Sequence, residues 1–154
     1  TRYSSVTGVQ TCALPISTNA DYRGSTAAVI FLGVAAIGTL VPGAIHAFAP
    51  NGGAVGIAGL DLGERRELVV AVFAWMGAAQ IAHGLAMLAV ALRYRPLTPL
   101  FLALIVVERG LMALQGWVTK PPTSGHHPPE HYASPLFAGL ALVFLALSLR
   151  PRRA

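Results

Sequence analysis

The chain has 154 residues, of which 55% are hydrophobic and only 11% are charged, too apolar for an ordinary soluble domain of this length. Its formal net charge of +5 would suit nucleic acid, but the basic residues sit at the ends of long apolar blocks. That placement fits the positive-inside bias of a membrane protein and argues against a phosphate-binding face. The length allows one domain, and the solvent of the apolar blocks is expected to be lipid.

In chain order, residues 6–16 read VTGVQTCALPI, which resembles the conceptual translation of a short-read sequencing adapter fused upstream of a coding region. Residues 1–17 are therefore set aside as an artefactual, disordered leader, as a tag or fusion scar would be. The single cysteine, Cys12, lies inside this segment. Without it there is no disulfide, thiolate zinc site or cysteine nucleophile to consider.

A polar lead-in, TNADYRGS, precedes a first span over 26–48. Gly33, Ala36 and Gly38 are small enough to admit a close neighbouring helix. Pro42 and Gly43 predict a kink, because proline removes one backbone bond and crowds the preceding turn. His46 follows it. The loop APNGGAVGIAGLDLGERRE then opens on PNGG, a turn signal that uses the tolerance of Asn and Gly for positive φ. Its glycines make neither a GxGxxG nor a Walker pattern. Asp61 and Glu64 have the spacing of a capping box, with Asp in the usual Ser or Thr place.

The centre of the chain is an apolar hairpin with arms over 67–93 and 98–118, joined by a short basic connector. Each arm exceeds the length needed to cross a bilayer. Thr98–Pro99 reads as an N-cap followed by proline at the first helical position, and Ser134–Pro135 repeats the device before a short last span over 134–149. The fold class is thus all-α, a four-helix transmembrane bundle. Arg23, Arg93, Arg95, Arg150, Arg152 and Arg153 fall on one side, which predicts both termini in the cytoplasm. Trp75, Trp117 and Tyr132 suit interfacial anchors, and Met76, Met87 and Met112 suit packing.

Two constellations carry candidate chemistry. The first is intramembrane: Gln80 and His83 on the second span, Glu108, Arg109 and Gln115 on the third. Counted from the connector at 1.5 Å per residue, His83 and Glu108 both lie roughly 15 Å deep. Ionisable groups at that depth are costly unless paired, and they mark function by default. Either they form a proton-accepting pair or a polar patch for the head of a quinone-like or lipid-like ligand, or a Glu108–Arg109–His83 clamp fixes the packing. Gln115, one heptad beyond Glu108, extends this polar seam outwards.

The second constellation is the outer loop TKPPTSGHHPPEHYASP. Its His126, His127, Glu130 and His131 have the ligand types of a three-histidine or two-histidine-one-carboxylate site, with His46 as an added ligand. Zinc, nickel or copper would suit imidazole there. The alternative is a solvated loop stiffened and extended by Pro128 and Pro129, which splays the side chains apart.

Span number, the short basic turn at 93–96 and polar residues in the middle helices resemble the small four-helix bacterial membrane proteins grouped as DoxX-like. That resemblance implies a bacterial cytoplasmic membrane and a role beside quinol-oxidising or thiol-related redox systems. It carries over no catalytic residues. Three expectations follow. The chain is an accessory or interaction subunit, partnered by other membrane subunits or its own copies. Alternatively, it embeds a quinone-like or lipid ligand through the intramembrane set, or it binds a divalent transition metal through the histidine loop.

Overall fold

A segment in hydrocarbon must satisfy its own backbone, and apolar blocks of this length do so as helices. The computed structural model describes residue 19, residues 22–123 and residues 125–151. The leader at 1–17 with Cys12, and the terminal Arg152 and Arg153, lie outside the described residues. Within them are four helices: α1 (Thr26–Phe48), α2 (Arg66–Arg93), α3 (Thr98–Leu114) and α4 (Pro129–Leu149). Short 3₁₀ turns, Gly63–Arg65 and Arg95–Leu97, lead into α2 and α3, and a π-helical turn, Gln115–Thr119, prolongs α3. With these extensions, all four are long and apolar enough to cross a membrane.

Local chemistry explains the boundaries. Ser25 caps α1, its Oγ accepting from the Ala27 N–H at 3.2 Å. The PNGG turn forms as its sequence predicts: Gly52 and Gly53 have φ of 60° and 77°, and Asn51 Oδ1 accepts from the Gly53 N–H at 3.0 Å. The Asp61–Glu64 capping box does not form: Asp61 Oδ1 accepts from the Gly63 N–H at 3.2 Å, within the turn ahead of the 3₁₀ segment, and neither that segment nor α2 has a side-chain cap.

Two further boundary expectations are corrected. Thr98 does not cap α3: the preceding 3₁₀ turn runs straight into the helix, so Thr98 is its first residue and its Oγ1 is buried without a partner. Ser134–Pro135 does not begin the last span either. Helix α4 starts at Pro129 and passes through Pro135, drawing five loop residues into the span. The start signal is Pro129 at the first helical position with Glu130 in the first turn.

Helix α1 is central, with 44% of its apolar stretch buried against 11–17% for the others, whose wide apolar faces are left exposed. It packs closely on α2, while α3 packs on α4; α2 and α3, though consecutive, hardly approach each other. The close approach of α1 and α2 rests on glycines other than Gly33 and Gly38. A Cβ on Gly77 would lie 2.6 Å from the Gly43 carbonyl oxygen, and one on Gly84 would lie 2.6 Å from Leu40 Cγ. Gly38 has nothing within 4 Å of its Cβ position.

The apolar core occupies the half of the bundle near the termini. Leu32, Met87, Leu102, Ile105 and Ala141 meet there, and Phe31 stacks on Phe144 with ring centres 4.4 Å apart. The lead-in closes this end: Asn19 Nδ2 donates to the Leu92 carbonyl at 2.9 Å, and its Oδ1 accepts from the Arg95 N–H at 3.1 Å. The Ser25 N–H reaches the Leu147 carbonyl at 3.4 Å. Both ends of the helical region and the α2–α3 connector therefore share one face of the bundle. The opposite half is more open, and there the polar residues gather.

Candidate functional site

The equal depths of His83 and Glu108 on adjacent antiparallel helices bring them together. His83 Nδ1 lies 3.1 Å from Glu108 Oε2, with side chains 27% and 33% exposed. This pair links α2 and α3, which otherwise hardly approach each other. Arg109 does not join it, which corrects the three-membered clamp. One residue further round the helix, its guanidinium turns about 100° away and pairs with Glu130 on α4. Arg109 is 11% exposed and also lies over the Phe137 ring at 5.9 Å. Ser134 Oγ donates to the same Glu130 oxygen at 3.4 Å. Glu108, Arg109, Glu130 and Thr39 border a small cavity of about 90 Å³, room for water molecules between the His83–Glu108 and Arg109–Glu130 pairs.

Above it, in the half of the bundle away from the termini, lies a cavity of about 650 Å³. Pro42, Ile45, Phe73, Met76 and Met112 supply apolar walls, and Gln80 and Gln115 bring carboxamides from α2 and α3. Glu130 borders both cavities, so the seam from Glu108 to Gln115 continues through it. The two loops meet above, where His126 Nε2 is 3.1 Å from the Ala58 carbonyl oxygen. His46 pairs through Nδ1 with the Gly52 carbonyl and stands edge-on to Phe73. Gln80 Oε1, by contrast, is buried with no hydrogen-bond partner. A buried amide oxygen left unpaired costs about 1–3 kcal/mol.

Among the described residues no three His, Asp, Cys or Glu side chains converge as a metal site would need, in the histidine loop or elsewhere. The loop's donors are drawn to other partners. Glu130 is committed to Arg109, His126 faces Ala58, and His46 is tied to Gly52. His127, just ahead of α4, and His131, in its first turn, do meet, Nδ1 to Nδ1 at 3.0 Å. Trp117 stacks on His127 with centres 4.2 Å apart, and stands edge-on to Tyr132 at 5.3 Å. Gly116 lets His131 seat against α3, since a Cβ there would lie 2.9 Å from the imidazole.

Of the five intramembrane candidates, Gln80 and Gln115 thus face one cavity, Glu108 and Arg109 the smaller one, and His83 bridges the gap between α2 and α3. Glu130, assigned to the loop by sequence reasoning, is the residue that joins the two cavities. No protein-family model, curated protein or solved structure matches the chain.

Proposed function

We propose that this protein is a multi-pass membrane protein that binds a lipid-soluble ligand with a small polar head, of the quinone or lipid class, in the cavity between its four helices. The observation that carries this reading is the combination of about 650 Å³ of apolar-walled space with the unpartnered amide oxygen of Gln80, a residue of its wall. Ligand cavities have this size and this mixture: predominantly apolar walls with few polar groups that set orientation. A carboxamide both donates and accepts, so Gln80 and Gln115 suit either the carbonyl of a quinone or the hydroxyl of its reduced form.

The resemblance to DoxX-like proteins favours the quinone within that class. It also favours a bacterial cytoplasmic membrane, with the end that carries Arg23, Arg93, Arg95 and Arg150 on the cytoplasmic side. The cavity then opens within the outer half of the bilayer.

The test is to purify residues 18–154 without a histidine tag in a mild detergent and identify extracted quinones and lipids by mass spectrometry. A stoichiometric amphiphile is expected, and Gln80→Leu is expected to lower its occupancy at least tenfold. A well-folded protein that carries none, and takes up none from quinone-loaded nanodiscs, would overturn the reading and return weight to a purely accessory subunit.

A further inference from the structure

Three surface features of the α2–α3 pair share one direction. On α3, Leu100, Leu104, Val107, Leu111 and Leu114 are 44–58% exposed and recur at intervals of four, three, four and three. On α2, Ala79, Ala82, Ala86 and Ala89 are exposed and recur at three, four and three. Intervals of this kind trace a single seam along a helix, large residues making knobs and small ones leaving holes. At 100° per residue each seam lies roughly 80° from the helix face that carries His83 or Glu108. Because the helices run antiparallel, the two offsets fall on the same outer side of the pair. Between the seams sits the third feature, the His83–Glu108 pair, a quarter to a third of it uncovered at mid-bilayer depth.

The geometry points to a second copy of this chain as the partner for this face, in a twofold dimer whose axis runs along the membrane normal. That axis is the symmetry available to two copies of like topology, and it makes the interface self-complementary. It sets α2 of each copy against α3 of the other, so that the leucine and valine knobs enter the alanine seam. Ala86 and Leu104 both lie about 10 Å from the α2–α3 connector, so the registers match. The same rotation puts His83 of each copy opposite Glu108 of the other. Imidazoles and carboxylates then alternate around a closed ring, and the partly uncovered pair is withdrawn from hydrocarbon, where ionisable side chains are expensive. The complementary pairing of imidazole with carboxylate, which lipid cannot offer, therefore selects the like chain as the cover. This inference is independent of the ligand in the interior cavity.

The test uses full-length chains with Cys12→Ser, one carrying Ala86→Cys and the other Leu104→Cys, with distinct tags and co-expressed in one membrane. Each chain then has a single thiol, so every cross-link is between copies. Mild oxidation is expected to give the mixed 86–104 disulfide several-fold more than either 86–86 or 104–104. Single-molecule photobleaching in nanodiscs counts copies in parallel. Two copies are expected, falling at least tenfold in dimer fraction with Ala86→Leu and staying unchanged with Leu92→Ala, which is exposed off the seam. A chain that stays single, a dimer linked mainly through 86–86, or a single chain holding a different protein on this face would each overturn the proposal. If Ala86→Leu fails to insert, the cross-linking pattern decides alone.

Discussion

The indole N–H of Trp117 donates to the backbone carbonyl of His131 at 2.7 Å, four residues before Pro135. In an uninterrupted helix that carbonyl would accept from the N–H of residue 135, which proline lacks. The π-helical turn at the end of α3 carries the indole to the vacancy. Trp117→Phe is therefore expected to destabilise the protein by about 1 kcal/mol in reversible denaturant unfolding in detergent micelles. In a Pro135→Ala background, where the helix supplies its own donor, the same change is expected to cost close to nothing. Equal losses in both backgrounds would show that packing of the indole, not its hydrogen bond, is what matters.

Breaking the His83–Glu108 pair from one side leaves a polar group facing lipid. Each of His83→Leu and Glu108→Leu is expected to cost about 1–3 kcal/mol, discounted from a fully buried pair because both groups are partly exposed. The double replacement is expected to cost less than the sum of the two. A double-mutant cycle on unfolding free energy gives the answer, and strict additivity would mean that the two groups do not stabilise one another.

Glycine substitutions should separate the real helix contact from the apparent one. Gly77→Ala places a methyl against the Gly43 carbonyl, and pushing α1 from α2 is expected to cost about 1–3 kcal/mol. Gly38→Ala meets nothing within 4 Å and replaces a poor helix former, so it is expected to stabilise by up to about 1 kcal/mol. Thermal melting of the two variants side by side checks the contrast.

Arg109 is nearly enclosed and depends on a carboxylate twenty-one residues away in the chain. Glu130→Ala is expected to destabilise by about 2–4 kcal/mol, because it strands the guanidinium in the interior. Replacing both residues with apolar ones of similar volume should recover most of that loss. Unfolding titrations of the single and double variants measure it.

The outcomes at Glu108 and Glu130 show what the sequence could and could not disclose. Depth along two apolar arms is a one-dimensional quantity, and it was enough to bring His83 to Glu108. Direction around α3 also separates Arg109 from Glu108, but its partner was hidden because Glu130 reads as loop until α4 is known to start at Pro129. That start was obscured by Ser134–Pro135, a sound helix-opening signal overridden by a tertiary hydrogen bond from Trp117. Gln80 and Gln115 were legible as a polar seam. The cavity between them was not, because it depends on two loops meeting near Ala58 and His126, and no local pattern encodes that meeting. The histidine loop had the right donors for a metal, and partners supplied by other elements dispersed them.

The scant contact between α2 and α3 has a consequence for biosynthesis. Each half of the bundle is a hairpin that buries its own tight interface, α1 on α2 and α3 on α4, so each can leave the translocation machinery as a paired unit. The connector at Tyr94–Leu97 then works as a tether more than as a structural corner. Two separate polypeptides, divided at that tether and made in the same cell, are expected to find each other in the bilayer and rebuild the intact bundle.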